Sequence, residues 1–386
     1  MADDRPAGLT LDNWQEGPWN RWAYRHISHL IPTALISRGS GPIDVLERRP
    51  LDLSTLRIQR ADGGTTTLHE MLTETYTDAF VVLQDGAILY ERYFNGMSAD
   101  TLHLFQSVSK SVTGMLAGIL VADGRLRLDR RIGDYLPELR DSGYAAATVR
   151  DALDMLVSVV YTEDYDDPSS EMNRQDRAAA WRPLLPGDVD GLYQFAATVQ
   201  KDGNHGEVFQ YCSLTTDVLG WVLSRVSGLS FAELLSRELW SKLGCEHDAV
   251  ITVDHFDSPS PSGGICTTAR DLARFGQMVM RQGVANGQQI VPAAWIDDTR
   301  FEGDVEAFAR NPENASHPGA AYRNYFWITN DEYGVFYGTG IYGQHLWLVP
   351  STGVVIAKLS SRPAALDDAL GDLTARAFNA ISTYVR

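Results

Sequence analysis

Ser107 and Lys110 stand three residues apart in LFQSVSKSV, where an extended stretch gives way to a helical apolar rhythm. Residues i and i+3 share one face of a helix, so this spacing lets the lysine amine reach the serine hydroxyl. A free serine is a weak nucleophile and needs a neighbouring base. Lysine can act as that base when burial or a nearby cation lowers its proton affinity. The first turn of a helix also offers unpaired N–H groups to a developing oxyanion. The pair therefore predicts acyl transfer by a serine–lysine hydrolase. The competing reading is a serine at a helix start beside a solvated lysine. Only four lysines occur in the chain, Lys110, Lys201, Lys242 and Lys358, so a match placed at a helix start is informative.

Other chemistries fit less well. Gly338-Thr339-Gly340-Ile341-Tyr342-Gly343 satisfies G-x-G-x-x-G, but a strand-like HLWLVP follows it, so no helix start is available for a pyrophosphate. His69-Glu70 lacks the second histidine of a zinc-protease helix, and no serine lies in G-x-S-x-G. Cys212, Cys245 and Cys266 are too few and scattered for a disulfide framework or a zinc site. No metal or cofactor is expected. A net charge of −17 argues against nucleic acid and against anionic membrane surfaces as partners. It is compatible with a neutral or cationic small-molecule substrate. The polar, acidic start lacks a basic segment followed by an apolar one, so a cytoplasmic protein is expected. A homodimer is the default assembly.

The elements that must position these residues can be traced along the 386 residues. AFVVLQDGAILYERYF (residues 79–94) reads as two strands joined at Gln84-Asp85-Gly86. After Ser107, the residues Val112, Met115, Leu116, Ile119 and Leu120 recur at helical spacing until Asp123-Gly124. Residues 128–268 read as helices and long loops, and TARDLARFGQMVMRQG (268–283) is a further amphipathic helix. Strand patterns return in EYGVFYGTGIYGQHLWLVP and GVVIAKLSS, before a C-terminal helix. The expected fold is α/β of the α+β kind, an antiparallel sheet flanked by helices with an all-helical insert. Residues 1–106 and 269–386 would form the sheet domain and 107–268 the mostly helical one, with the active site between them.

Two further segments sharpen the functional reading. Tyr211-Cys212-Ser213 is a Tyr-x-Ser ahead of the helix TDVLGWVL, and Gly338-Thr339-Gly340 lies on a strand. In the order Ser-x-x-Lys, Tyr-x-Ser, x-Thr-Gly the chain resembles the serine β-lactamase and penicillin-binding protein superfamily, class C branch. The passages LDNWQEGPWNRWA, LFQSVSKSV, YTEDYDDPSSE, GEVFQYCS, TDVLGWV and GIYGQHLWL resemble the 6-aminohexanoate-dimer hydrolases in particular, from near residue 10 to near residue 361. Those enzymes cleave the linear amide dimer of a nylon monomer and also short esters. One departure stands out. The lysine of the third motif, which in the superfamily helps hold a substrate carboxylate, is replaced by Gly338.

The resemblance implies a role for each matching residue. Ser107 attacks the amide carbonyl, Lys110 acts as base, and Tyr211 relays the proton to the leaving amine. The N–H groups of Ser107 and Ile341 form the oxyanion hole. Tyr165 bonds near the scissile amide, Asp176 meets the substrate's free ammonium, Trp327 is a mobile pocket residue, and Ser213 supports the lysine. Read without the family, Tyr165 sits in a solvated acidic loop, Asp176 is a helix cap or surface charge, and Trp327 is core. Four activities follow as alternatives: an amide hydrolase with esterase activity, a carboxylesterase with no physiological amide substrate, a β-lactamase or D-amino-acid peptidase relative, and a sensor that acylates without turning over.

Overall fold

A computed structural model of the chain describes residues 5–386. Residues 1–4, part of the acidic start, lie outside the described residues. The central feature is a seven-stranded antiparallel sheet. Its spatial order is Ala321–Arg323, Phe326–Ile328, Phe336–Gly340, Gln344–Val349, Val354–Ser360, Thr77–Gln84 and Ala87–Tyr93. The last two strands form the expected hairpin, with Asp85 and Gly86 both at positive φ, as a tight two-residue turn requires.

Successive side chains of a strand point to opposite faces, and the sheet sorts them accordingly. Ala79, Val81, Leu83, Leu346, Leu348, Val355 and Ala357 join one core with Leu272, Phe275 and Val279 of the helix Ala269–Met280. Phe80, Val82, Trp347, Val349, Val354 and Ile356 join the other with Leu373, Ala377, Phe378 and Ile381 of the C-terminal helix Asp368–Tyr384. The sheet is thus covered on both faces, which is why its middle strands read as continuous apolar runs.

The helix Val108–Ala122 carries Ser107 at its N-terminal cap and is buried along all of Val108–Leu120. It packs against the helix Ser213–Ser227 and against the strand Phe336–Gly340. The segment 107–268 contributes this helix, the helices Val149–Leu153, Glu171–Ala178, Leu192–Ala196, Ser213–Ser227 and Phe231–Glu238, and also two strands, Ala249–Thr252 and Ile265–Thr267. Those strands join Thr33–Ile36 and His103–Leu104 in a second, four-stranded antiparallel sheet. No single helix among the described residues is long and apolar enough to cross a membrane.

Candidate active site

His103–Leu104 is hydrogen-bonded to Ile265–Thr267, and the chain then turns through Gln106, at φ +47°, into Ser107. This leaves Ser107 half-buried at the helix start, while Lys110, one turn on, is 1% exposed. The Lys110 Nζ lies 2.8 Å from Ser107 Oγ, 2.9 Å from Ser213 Oγ and 2.9 Å from the carbonyl oxygen of Ser262.

The neighbours of Lys110 fix the polarity of these contacts. The Ser213 hydroxyl donates to Glu163 Oε1 at 2.6 Å, so it can only accept from the amine. The Ser262 carbonyl is an acceptor by nature. The ammonium form donates to all three neighbours; once it has given up a proton, its two N–H groups stay on Ser213 and Ser262 and the lone pair faces Ser107. Glu163 fixes this arrangement. It also accepts the Ser213 N–H at 2.9 Å and the Tyr165 hydroxyl at 2.9 Å. Burial, reinforced by Glu163, pushes the Tyr165 phenol well above its ordinary range and keeps it a donor.

Tyr211 stands beside the amine, its ring centroid 5.0 Å from Lys110 Nζ. No hydrogen bond joins its hydroxyl to Ser107 among the described residues. The ring stacks on Trp327 at 5.7 Å and meets Tyr322 edge-on at 6.2 Å. Trp327 lies behind Tyr211, stacked on Tyr337 at 6.4 Å and edge-on to Tyr322 at 5.0 Å, and is not among the residues lining the cleft over Ser107.

That cleft encloses about 410 Å³ of space open to solvent, and Ser107, Tyr165, Asp176, Ser213, Ser262 and Ile341 are among its walls. Asp176 is buried. Its Oδ2 accepts from Gln15 Nε2 at 2.8 Å and from Arg182 Nε at 3.4 Å. Burial raises its carboxyl above the usual range, against the opposing pull of Arg182. Ile341 follows the strand Phe336–Gly340, which comes close to the nucleophile: a Cβ at Gly340 would lie 2.9 Å from Ser107 N. Gly338, one turn of the pleat earlier, faces the same helix, and a Cβ there would lie 2.6 Å from Ser111 Oγ. The space in which a lysine at 338 would begin is filled by Ser111, which is held by a bond to the Tyr325 carbonyl at 2.8 Å.

The site thus brings together Ser107, Lys110 and Ser213 by direct contact, with Tyr211 alongside and Tyr165, Asp176 and Ile341 in the walls. Read without the family, the acidic loop around Tyr165, which holds Glu163, looks solvated, and Ser262 and Asp217 are passed over. The Ser213–Asp217 spacing of four residues along one helix was the available signal. Nothing local marked Ser262.

A family model described as Beta-lactamase matches residues 70–380, and the chain belongs to that family of serine hydrolases. A 6-aminohexanoate-dimer hydrolase from Paenarthrobacter ureafaciens is 43% identical over 356 residues, 92% of this chain and 88% of that one. A solved Bacillus anthracis structure assigned to the 6-aminohexanoate-dimer hydrolases is 29% identical, covers 98% of this chain and 97% of its own, and superposes with a TM-score of 0.91. Within the family the chain therefore sits in the 6-aminohexanoate-dimer hydrolase branch. A family VIII carboxylesterase shares the fold at a TM-score of 0.59 and 15% identity, over 81% of this chain and 96% of that one.

Proposed function

We propose that this protein hydrolyses a linear amide bearing a free ammonium group, such as the 6-aminohexanoate dimer, and short esters as well, through an acyl-enzyme on Ser107. The observation that carries the reading is the set of contacts around Lys110: its amine lies 2.8 Å from Ser107 Oγ, while Ser213 Oγ and the Ser262 carbonyl are fixed acceptors for its other two positions. Lys110 takes the Ser107 proton as Oγ attacks the carbonyl carbon. The oxyanion forms against the N–H groups of Ser107 and Ile341. The intermediate collapses by breaking the C–N bond, and Tyr211 relays the proton from Lys110 to the leaving amine. Water then attacks the acyl-Ser107 carbonyl with Lys110 again as base, releasing the acid. Asp176 receives the substrate ammonium, and Tyr165 bonds near the scissile group.

Two observations bear on the alternatives. Arg182 already contacts Asp176 and weakens it as an ammonium site, which favours carboxylesterase action on neutral substrates as the second reading. Ser111 occupies the space next to Gly338, and without the lysine a carboxylate-bearing β-lactam has a poor anchor. The test compares amine release from the 6-aminohexanoate dimer, p-nitrophenyl butyrate hydrolysis and nitrocefin turnover by the wild type and Ser107→Ala. Dimer and ester turnover that Ser107→Ala abolishes, with nitrocefin inert, is the expected result. Ester turnover alone transfers the assignment to a carboxylesterase.

A further inference from the structure

On the side of Lys110 away from the cleft mouth lies a second carboxyl that none of the steps above employs. Asp217 sits one helical turn after Ser213 and is 1% exposed. Its Oδ1 accepts the Ser262 N–H at 2.9 Å, and its Oδ2 accepts the Ser262 hydroxyl at 3.0 Å and Gln175 Nε2 at 2.6 Å. Gln175 cannot turn over, because its Oε1 accepts from the Tyr161 hydroxyl. Asp217 therefore holds both donors of the residue whose carbonyl takes one of the two Lys110 N–H groups. Among the described residues no arginine or lysine forms a salt bridge with it. Burial pushes its carboxyl up to about 7, against the two Ser262 hydrogen bonds first and then the charge of Lys110. The other titratable groups that face it are the phenols of Tyr144, Tyr193 and Tyr325, all raised by burial and hence neutral.

We infer that Asp217 is a positioning residue of the serine–lysine machinery: through Ser262 it sets the direction of one Lys110 N–H, and its negative charge balances the charge Lys110 gains with the Ser107 proton. The inference rests on the hydrolytic reading above. In that step the Ser107 O–H bond breaks, a Lys110 N–H bond forms, and the amine becomes an ammonium with no full counter-charge in direct contact. A carboxylate one residue removed lowers the energy of that ammonium. Glu163 does the same through Ser213 on the opposite side, so the amine is flanked by two serines, each backed by a carboxyl group.

The test uses the full chain and p-nitrophenyl butyrate across pH 5–9, with circular dichroism as a fold control. Asp217→Asn loses the charge; its oxygen can still accept the Ser262 N–H, while its NH₂ replaces Oδ2 beside the Ser262 hydroxyl and Gln175 Nε2. It is expected to lower kcat about 10- to 100-fold with KM within about twofold. It is also expected to move the part of the kcat/KM acid limb that lies above about pH 7, where the carboxyl is ionised, to lower pH, since removing a negative charge there favours the neutral amine. A folded Asp217→Asn with kcat within threefold of wild type and an unmoved limb overturns the inference. Should that variant fail to fold, Ser262→Ala decides. It removes one of the two Ser262 bonds, and a fall of about 3- to 10-fold with the same direction of shift supports the inference, while an unchanged rate and profile overturns it. Failure of the underlying reading looks different: the wild type is then inert on ester and dimer alike, or Ser107→Ala remains active.

Discussion

Around Lys110 every partner except Ser107 has a fixed hydrogen-bond polarity: the Ser262 carbonyl can only accept, and Glu163 fixes the Ser213 hydroxyl. Glu163→Gln replaces one acceptor oxygen by an NH₂. If that NH₂ meets Ser213, the Ser213 hydroxyl turns its proton toward the amine and occupies the lone pair that Ser107 needs. The expected outcome is a loss of at least about tenfold in kcat with KM little changed, read in steady-state ester hydrolysis. Lys110→Ala and Tyr211→Phe remove acid–base partners outright and are each expected to lower kcat by at least about 10²-fold in the same assay. At this scale the sequence was legible wherever spacing is local. Ser107 and Lys110 declare themselves because one helical turn joins them. Ser213 and Ser262 reach Lys110 from 103 and 152 residues away, and Glu163 reaches Ser213 from 50. Such contacts are made by the tertiary fold, and an acidic loop such as Glu163–Asp167 looks solvated until that fold is seen.

The strand Phe336–Gly340 shows how an element constrains chemistry. It lies so close to the nucleophile helix that Gly338 and Gly340 both abut it, at Ser111 Oγ and at Ser107 N. Gly338→Lys would restore the motif lysine of the wider superfamily but drive a Cβ to 2.6 Å from Ser111 Oγ. Either Ser111 gives up its bond to the Tyr325 carbonyl or the strand moves outward. The variant is expected to be less stable by about 1–3 kcal/mol in urea titration, the cost of overpacking, and to gain no nitrocefin turnover. Combining it with Ser111→Gly should recover most of that stability; failure to do so would mean that the helix–strand contact is not the obstacle. The long strands Thr77–Gln84, Ala87–Tyr93 and Val354–Ser360 were readable as apolar runs bounded by turns. The second sheet was not. Its strands span two to four residues, too few to establish a period of two, and their pairing joins Thr33–Ile36 to Ala249–Thr252 across most of the chain. Yet this sheet sets the entry of the chain into Ser107 through His103–Leu104.

For the molecule as a whole, the buried site has a cost in stability that pH can expose. Asp217 is held up to about 7 by burial, well above the roughly 3.9 of an aspartate in an unfolded chain. A folded state that binds its proton more tightly than the unfolded one is favoured at low pH and loses that advantage as pH rises. The contribution of Asp217 is therefore fully present below about pH 4. It declines through the window up to about 7 and is constant above it. Over that window the loss amounts to about 4 kcal/mol. Asp154 and Asp176 are raised by burial too, so the pH profile of the wild type alone cannot isolate one group. The difference between Asp217→Asn and wild type can, because the other carboxyls cancel. Denaturant unfolding at pH 4, 5.5, 7 and 8.5 is expected to show the asparagine variant gaining on the wild type from the first point to the third and holding level thereafter. A stability difference that does not vary with pH would mean that Asp217 ionises at the same pH in the folded and unfolded chains. A gain on the wild type that grows as pH rises to about 7, coupled to a loss in kcat, is the expected mark of a charge kept in the core for the sake of Lys110.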